Sequence, residues 1–204
     1  MSHFAQKPSN TDPKYWDERY EKEAYAYGQA PNAFLQAHIK LPPSKGAKAL
    51  CLADGEGRNG VYLAQLGYQV TSLDFSPAAK IKALSLADQK SVSLNYELTD
   101  LNDYQLQDNH WDLIASIFYQ PIVGIRKRHY QKLFAALRPQ GLFVLETKSS
   151  AESKEGGRYP GVQALIDEIS PLEILFSDES VRELNEGDYH KGDQRTSQIF
   201  ARKP

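Results

Sequence analysis

Residues 52–60 decide the fold, and they read Leu-Ala-Asp-Gly-Glu-Gly-Arg-Asn-Gly. Gly55, Gly57 and Gly60 are spaced as G-x-G-x-x-G between an apolar run that predicts a strand and a pattern that predicts a helix. Asp74 follows Gly55 by 19 residues and ends the next predicted strand. Glycines in such a turn let a ligand approach the backbone, and an acid at that distance accepts hydrogen bonds from ribose hydroxyls. The stretch therefore predicts a nucleotide-binding strand-turn-helix unit.

Apolar runs alternate with helical spacing along the rest of the chain. The predicted strands are 47–53, 68–73, 92–98, 111–118, 142–145, 172–176 and 198–202, and the predicted helices are 59–65, 77–88, 126–137 and 162–169. Strands that alternate with helices pair in parallel, so the pattern predicts a doubly wound, mostly parallel, seven-stranded α/β sheet. Only polar turn material separates the last two predicted strands, and these two can therefore pair antiparallel.

The chain of 204 residues has the length of a single domain. A turn cluster at 42–46 separates an N-terminal helical arm, residues 1–41, from an α/β core, residues 42–204. The polar segment 149–158 follows a predicted strand at the sheet edge where ligands bind in such folds. It is interpreted either as a mobile lid or as a solvated loop.

Composition excludes several classes of function. Twenty-six acids against 24 bases give a net charge of −2, so no global positive field favours nucleic acid or an anionic membrane. Residues 1–16 are polar, unlike a signal peptide, and the longest apolar stretch, 113–119, is too short to span a bilayer. The single Cys51 cannot form an internal disulfide, which indicates a cytoplasmic protein. The five scattered histidines predict no metal site.

The charge of the glycine turn distinguishes between nucleotides. A dinucleotide would place its pyrophosphate against a turn that carries two carboxylates, Asp54 and Glu56, and Arg58 could offset only one of them. Like charges about 4 Å apart cost roughly 4 kcal/mol at an effective dielectric constant near 20. S-adenosylmethionine has no phosphate and carries a cationic sulfonium and an ammonium. The turn therefore favours S-adenosylmethionine over NAD, and no tyrosine is followed four positions later by the lysine of short-chain reductases.

Several further motifs accompany the turn, and together they cover nearly the whole chain. They are residues 16–20 (Trp-Asp-Glu-Arg-Tyr), 27–28 (Tyr-Gly), 31–35 (Pro-Asn-Ala-Phe-Leu), 73–76 (Leu-Asp-Phe-Ser), 137–141 (Leu-Arg-Pro-Gln-Gly) and 182–187 (Arg-Glu-Leu-Asn-Glu-Gly). With these motifs the chain resembles the class I S-adenosylmethionine-dependent methyltransferases. Within that class it is similar to the bacterial tellurite-resistance-type enzymes, relatives of the thiopurine methyltransferases. The usual Asp-x-Gly-x-Gly-x-Gly departs here to Asp-Gly-Glu-Gly-Arg-Asn-Gly, which leaves open whether Asp54 or Glu56 meets the methionine ammonium.

The resemblance implies a set of residues that bind the methyl donor. They are Trp16, Tyr20, Tyr27, Asp54, Gly55, Glu56, Gly57, Arg58, Asn59, Asp74, Phe75, Ser76, Asp100, Leu101, Ser116 and Phe118. In this reading Asp74 binds the ribose, Asp100 accepts from the adenine amino group, and Phe75 stacks on the ring. A turn role for Asp100 and a core role for Phe75 are the plainer alternatives.

The methyl-transfer end of the site has two catalytic candidates. Tyr119 ends the fourth strand, where this fold faces the methyl group, and the sequence around it lacks the Asn-Pro-Pro-Tyr of amino-directed nucleic-acid enzymes. Arg182 lies between the last two predicted strands and could hold an oxyanion substrate. The aromatic residues of the arm either pack on the sheet or cover the sulfonium by cation–π contact. The basic run 126–129 is interpreted as a solvated helix face.

The sequence thus predicts methyl transfer from S-adenosylmethionine to a small molecule, by direct displacement. A thiol or a chalcogen oxyanion is the acceptor that the resemblance favours. Two alternatives stay open: an NAD(P)-dependent reductase that uses the same turn, and a non-catalytic S-adenosylmethionine-binding module.

Overall fold

The computed structural model describes residues 13–121, 123–150 and 159–204. The helices are α1 (Pro13–Tyr20), α2 (Ala33–His38), α3 (Arg58–Leu66), α4 (Pro77–Gln89), α5 (Val123–Ala136) and α6 (Val162–Ile169). The strands are β1 (Lys48–Leu52), β2 (Gln69–Asp74), β3 (Asn95–Leu98), β4 (Trp111–Ile117), β5 (Leu137–Lys148), β6 (Glu173–Asn185) and β7 (Lys191–Arg202).

All seven strands form one sheet, in the order β3-β2-β1-β4-β5-β7-β6. The strands from β3 to β5 pair in parallel, whereas β7 lies antiparallel to both β5 and β6. The predicted fold class, a mostly parallel seven-stranded sheet with an antiparallel last strand, is confirmed. The strand order changes direction at β1, and the carboxyl ends of β1 and its neighbours β2 and β4 therefore open onto one crevice.

Local sequence explains where several helices begin and end. Gly67 ends α3 in the left-handed conformation, with φ 101°, and its N–H donates to the Ala64 carbonyl. Ser76 caps α4 by accepting a hydrogen bond from the Ala79 N–H at 3.1 Å, and Pro77 fills the first helical position. Helix α6 has the bounds that the sequence predicts.

The largest error of the sequence prediction lies at the last two strands. Residues 177–197, predicted as polar turn material, form most of a long β6–β7 hairpin. β6 is an edge strand whose side chains are mostly exposed or half-buried, so it needs no apolar alternation. Pairing with β7 stabilises β6 instead. The antiparallel ladder runs from Glu173 opposite Arg202 to Asn185 opposite Lys191.

Two other strand boundaries differ from the prediction. β3 begins at Asn95 because the N–H of Val92 donates to the Ala87 carbonyl in the turn after α4. β5 begins five residues early, at Leu137, which pairs with Trp111 across a register shift. Apolar residues are buried both in a strand and in the turn next to it. The apolar pattern therefore did not show at which residue β3 and β5 begin.

The apolar core lies on both faces of the sheet. Leu50 and Leu52 of β1 point to the face covered by α5 and α6, and Ala49 and Cys51 point to the face covered by α2 and α3. This alternation follows from the period of two residues in a strand. Helix α1 packs its Tyr20 against Ala79 of α4, which brings the N-terminal arm over the crevice.

Only half of the basic run 126–129 is the solvated face that the sequence predicts, since Lys127 and Arg128 are exposed. Arg126 and His129 are buried, and the Arg126 guanidinium donates to both carboxylate oxygens of Glu168 at 2.7 and 2.8 Å. The two side chains are 3% and 4% exposed and join α5 to α6. A fork-shaped guanidinium can enter a core when a carboxylate matches it in this way.

No helix in the described part of the chain is long and apolar enough to cross a membrane. Residues 151–158, most of the segment interpreted as a lid or a solvated loop, lie outside the described residues. Ser149 precedes them and is anchored, since its hydroxyl donates to Glu179 at 3.2 Å.

We expect Glu168→Gln to lower the free energy of unfolding by about 3–5 kcal/mol, because it removes the buried carboxylate that pairs with the Arg126 guanidinium. Denaturant unfolding followed by circular dichroism measures this loss. Glu173→Gln removes a carboxylate from an exposed pair with Arg202 and is the matched control, with an expected loss of less than about 1 kcal/mol. Equal losses in the two variants would contradict the assignment.

Candidate functional site

Two glycines of the turn after β1 have no room for a side chain. A Cβ on Gly57, where φ is 81°, would lie 2.6 Å from the Ala83 Cβ of α4. A Cβ on Gly60 would overlap the Asp54 carboxylate and the Ser72 hydroxyl. The glycine spacing that marks this turn in the sequence is therefore required by the packing of α3 against β2 and α4.

Two backbone N–H groups at this turn already donate hydrogen bonds to carboxylates of the protein itself. Asp74, at the end of β2, accepts from the Gly55 N–H with one oxygen and from the Ser76 N–H with the other, both at 3.0 Å. Asp54 accepts from the Ser72 hydroxyl at 2.6 Å and from the Gly60 N–H at 3.2 Å. An anion that approached the turn would compete with these acids for its donors.

Burial raises the pKa of both acids, and it outweighs the hydrogen bonds that favour the carboxylate form. The pKa of Asp54 rises to about 7 and that of Asp74 to about 6. Both acids border a crevice and are poised to change charge near neutral pH. This combination is typical of a binding or catalytic site.

The other charges of the turn are balanced by partners that sequence reasoning did not identify. Glu56 pairs with Lys82 of α4 at 2.5 Å and accepts from the Ala26 N–H at 2.8 Å. The sequence suggested that Arg58 offsets an acid of the turn; its charge does lower the pKa of Asp54, but its ion pair is with Glu186 of the β6–β7 turn, at 2.7 Å. Asp54 is therefore the acid of residues 54–56 whose charge is not matched by an ion pair.

Arg182 belongs to a buried network instead of the crevice. Its guanidinium donates to Glu146 at 2.7 and 2.8 Å and to Glu186 at 3.2 Å. Asn32 of the arm donates to the same two carboxylates. The predicted role of Arg182 in holding an oxyanion is not supported, because its donors are committed and its side chain does not line the cavity.

A cavity of about 450 Å³ opens at the carboxyl edge of the sheet. Most residues of the predicted set line it: Trp16, Tyr20, Tyr27, Asp54, Gly55, Glu56, Arg58, Asn59, Asp74, Phe75, Asp100, Leu101, Phe118 and the catalytic candidate Tyr119. Clefts of this size hold small ligands and cofactors. The structure thus brings these residues together at one site.

Three predicted residues lie behind the cavity wall. Gly57 packs on α4, Ser76 caps that helix and also bonds Asp17, and Ser116 contacts the Tyr130 hydroxyl at 3.3 Å inside the core. Sequence proximity to the turn and to the end of β4 suggested them. The Ser116 side chain points away from the crevice because successive residues of a strand alternate in direction, and the Ser76 side chain is turned toward the start of α4 that it caps.

The aromatic arm covers the cavity from the side of α1. Trp16 and Tyr20 stack with ring centroids 5.8 Å apart, and the Tyr20 hydroxyl lies close to Gly55. The cation that packs against these aromatic rings is the guanidinium of Arg19, a group of the protein itself. The Arg19 guanidinium lies 4.2 Å from the Tyr189 ring centroid and donates to the Tyr27 hydroxyl at 2.5 Å.

Asp100 and Tyr119 each have a partner that bears on their predicted roles. One oxygen of the exposed Asp100 accepts from the N–H and the side chain of Asn102, both at 2.8 Å, which is the turn geometry named as its plainer alternative. The Tyr119 hydroxyl bonds His129 Nδ1 at 2.8 Å, and burial raises its pKa well above the ordinary value. Tyr119 is therefore neutral at physiological pH.

Sequence reasoning missed several residues of the site. Arg19, Lys148, Tyr189 and His190 line the cavity, and His190 packs its ring 4.1 Å from that of Phe118. Tyr189 and His190 lie in the turn of the hairpin that was read as a polar connection. A strand signal for 177–197 would have placed that turn beside the other carboxyl-edge residues. Among the described residues no cluster of His, Cys, Asp and Glu is arranged as a metal site.

A family model for a methyltransferase domain matches residues 49–141. The uncharacterized methyltransferase YbaJ of Bacillus subtilis is 31% identical over 98 residues, which are 46% of this chain and 38% of YbaJ. The probable S-adenosyl-L-methionine-dependent methyltransferase TehB of Haemophilus influenzae is 29% identical over 72 residues, which are 35% of this chain and 25% of TehB. The matches thus span well under half of both curated relatives.

Solved structures share the fold over nearly the whole chain. The crystal structure of TehB from Haemophilus influenzae has a TM-score of 0.66 at 20% identity and covers 94% of this chain and 67% of its own. A second solved structure concerns the conversion of a disulfide bond into a thioacetal group during echinomycin biosynthesis. It has a TM-score of 0.74 at 20% identity, and the match covers 95% of this chain and 90% of the other.

Fold, site and matched segment together are similar to those of the class I S-adenosylmethionine-dependent methyltransferases. Within that class the chain resembles TehB, which confirms the resemblance stated from the sequence. The donor that defines this class is S-adenosylmethionine.

Protonation of Asp54 provides a test of the site's electrostatics. Its pKa is higher in the folded state than in the unfolded chain, so its contribution to stability is present at acid pH and is lost as pH rises toward 7. We expect Asp54→Asn to remove this loss, which amounts to up to roughly 4 kcal/mol from pH 4 to 7. Unfolding curves across that range measure it. Asp103→Asn, at an exposed acid, is the control, and parallel pH profiles for wild type and Asp54→Asn would contradict the burial argument.

Proposed function

We propose that the protein transfers the methyl group of S-adenosylmethionine to a small-molecule acceptor. One observation carries the proposal: the Gly55 and Gly60 amides of the glycine motif already donate to the carboxylates of Asp74 and Asp54 and are not open for a phosphate. A nucleoside without phosphates and with positive charge at its sulfur end is compatible with such a turn, and a diphosphate is not. The match of residues 49–141 to a methyltransferase-domain model agrees with this choice.

Asp74 is the residue assigned to the ribose. It ends β2 at the crevice, and its two amide hydrogen bonds leave lone pairs on both oxygens for hydroxyl donors. Phe75 and Leu101 line the same part of the cavity and offer apolar surface to the adenine ring. The second Asp100 oxygen is available to the adenine amino group, since the bonds to Asn102 use only the first.

Asp54 is the better partner for the methionine ammonium. The Glu56 carboxylate is already matched by Lys82 at 2.5 Å, whereas Asp54 has hydrogen bonds but no ion pair. An ammonium beside Asp54 would lower the pKa of that acid and keep it ionised at neutral pH. This assignment chooses between the two acids that the sequence left open.

Bound S-adenosylmethionine supplies an activated methyl group. A lone pair of the acceptor forms the new bond to the methyl carbon while the carbon–sulfur bond breaks. The electron pair of the broken bond stays on sulfur, which gives S-adenosylhomocysteine. The chain's own residues align the reactants and exclude water. Tyr20 and Trp16 cover the turn from above, and Phe118 with Tyr119 forms the wall at the end of β4. Alignment of this kind can contribute effective molarities of about 10⁵ M or more. A soft anion needs no general base, and the neutral Tyr119 is not required to act as one.

The acceptor and its chemistry remain part of the proposal. A thiol or a chalcogen oxyanion is suggested by the resemblance to TehB, and no nucleic acid or membrane partner is proposed for a chain with a net charge of −2. A cytoplasmic location fits the buried Cys51 thiol, whose pKa burial raises and which has no described cysteine to pair with. A labelled-methyl assay on thiols, selenite, tellurite and thiopurines tests turnover. Donor binding without turnover on any acceptor would instead support the non-catalytic module.

The Asp74→Ala variant tests the donor site. We expect it to weaken binding of S-adenosylhomocysteine by roughly 2–3 kcal/mol, because charge-assisted hydrogen bonds to the ribose are lost. Isothermal titration calorimetry measures the dissociation constant, and thermal unfolding of the variant without ligand checks that it folds. Asp103→Ala, at an exposed acid of the same charge, should bind as the wild type does. An unchanged constant for Asp74→Ala would show that the donor lies elsewhere.

A further inference from the structure

Charge is divided along the carboxyl edge of the sheet. Asp54, Asp74 and Asp100 follow β1, β2 and β3, on one side of β4. Lys148 ends β5, on the other side of β4, and Arg19 reaches Tyr189 in the β6–β7 turn on that same side. All five residues line the one cavity. The cavity therefore has an acidic half and a basic half, with Phe118 and Tyr119 between them.

Arg19 is fixed in place without a carboxylate. Its guanidinium donates to the hydroxyls of Tyr15 and Tyr27 and packs on the rings of Tyr15, Trp16 and Tyr189, with distances to their centroids of 4.8, 5.0 and 4.2 Å. These contacts orient the guanidinium but leave its full positive charge uncompensated. A charge held this way at a cavity wall is preorganised for an anion.

Lys148 is the second unmatched cation. It is half-buried at the end of β5, and desolvation followed by the charge of Arg19 lowers its pKa, which places the two cations within each other's field. Among the described residues neither Arg19 nor Lys148 forms an ion pair with a carboxylate. Two like charges held together in a half-buried wall destabilise each other unless an anion lies between them.

Three other cations near this edge are already matched. Arg58 pairs with Glu186, Arg182 pairs with Glu146, and Lys82 pairs with Glu56. His190 lies among them, and burial lowers its pKa, so its ring is neutral at pH 7. Among the described residues that line the cavity, the positive charge without a carboxylate partner is therefore that of Arg19 and Lys148.

We propose that the methyl acceptor is a small anion whose charged oxygens lie between Arg19 and Lys148, opposite the acids that hold the donor. The inference rests on the proposed methyl transfer and adds to it the charge of the acceptor and the residues that recognise it. It replaces Arg182, which the sequence had suggested for this role. The group recognised is a carboxylate of an organic thiol or an inorganic chalcogen oxyanion, and both present oxygens to a guanidinium and an ammonium in the same way.

Calorimetric titration of the protein saturated with S-adenosylhomocysteine tests the proposal without requiring turnover. 3-Mercaptopropionate and its methyl ester form a matched pair that differs in one charge, and selenite is the inorganic probe. We expect at least one of the two anions to bind about tenfold or more tightly than the ester. Which anion binds identifies the source of the charged group.

Arg19→Gln and Lys148→Gln should each weaken that anion by about tenfold or more while the ester is unaffected, and Arg19→Lys should restore part of the loss. Arg202→Gln removes a cation outside the cavity and is the matched control. Binding of S-adenosylhomocysteine should stay within about twofold in Lys148→Gln and Arg202→Gln, because neither side chain contacts a residue assigned to the donor.

Equal affinities for 3-mercaptopropionate, its ester and selenite, or no measurable binding of either anion, would overturn the proposal. Failure of the wild type to bind S-adenosylhomocysteine at all would instead contradict the proposed methyl transfer, so the two failures are distinguishable.

Discussion

The hydrogen bonds from the Gly55 and Gly60 amides to Asp74 and Asp54 are the interaction on which the site depends. They fix the turn after β1, and they place two buried carboxylates where other nucleotide-binding folds receive a phosphate. Burial keeps the pKa values of these acids near neutral, so a cationic ligand can hold them ionised. The identity of the ligand follows from this electrostatic constraint more than from the glycine spacing.

A second network joins the parts of the chain that close the cavity. Glu146 and Glu186 take hydrogen bonds from Asn32 of the arm, Arg58 of the turn and Arg182 of the hairpin. A buried charge without its partner is costly, so the arm, the turn and the hairpin are fixed relative to one another. Because Arg58 and Arg182 are paired in this network, the cavity-lining cations without a carboxylate partner, among the residues that the structure describes, are Arg19 and Lys148.

The sequence predicted the sheet, its strand count and most of the cavity wall, because period-two apolar runs and the turn at 52–60 are local signals. It did not predict the hairpin of β6 and β7, whose exposed edge residues carry no such period. Consequently it missed Tyr189 and His190 and misplaced Arg182, whose partner Glu146 is 36 residues away in the chain. A pair of residues so far apart in the chain is brought together only by the fold, so no regular sequence spacing predicts it. The division into an arm, 1–41, and a core, 42–204, stays a prediction.

One calorimetric comparison tests the central claim most directly. S-adenosylhomocysteine and NADH share an adenosine but differ in the diphosphate, and each can be titrated into the same preparation at neutral pH. Micromolar binding of S-adenosylhomocysteine with no heat from NADH is the predicted result. Micromolar binding of NADH with none of S-adenosylhomocysteine would show that the acidic turn accepts a diphosphate, and that would contradict the account.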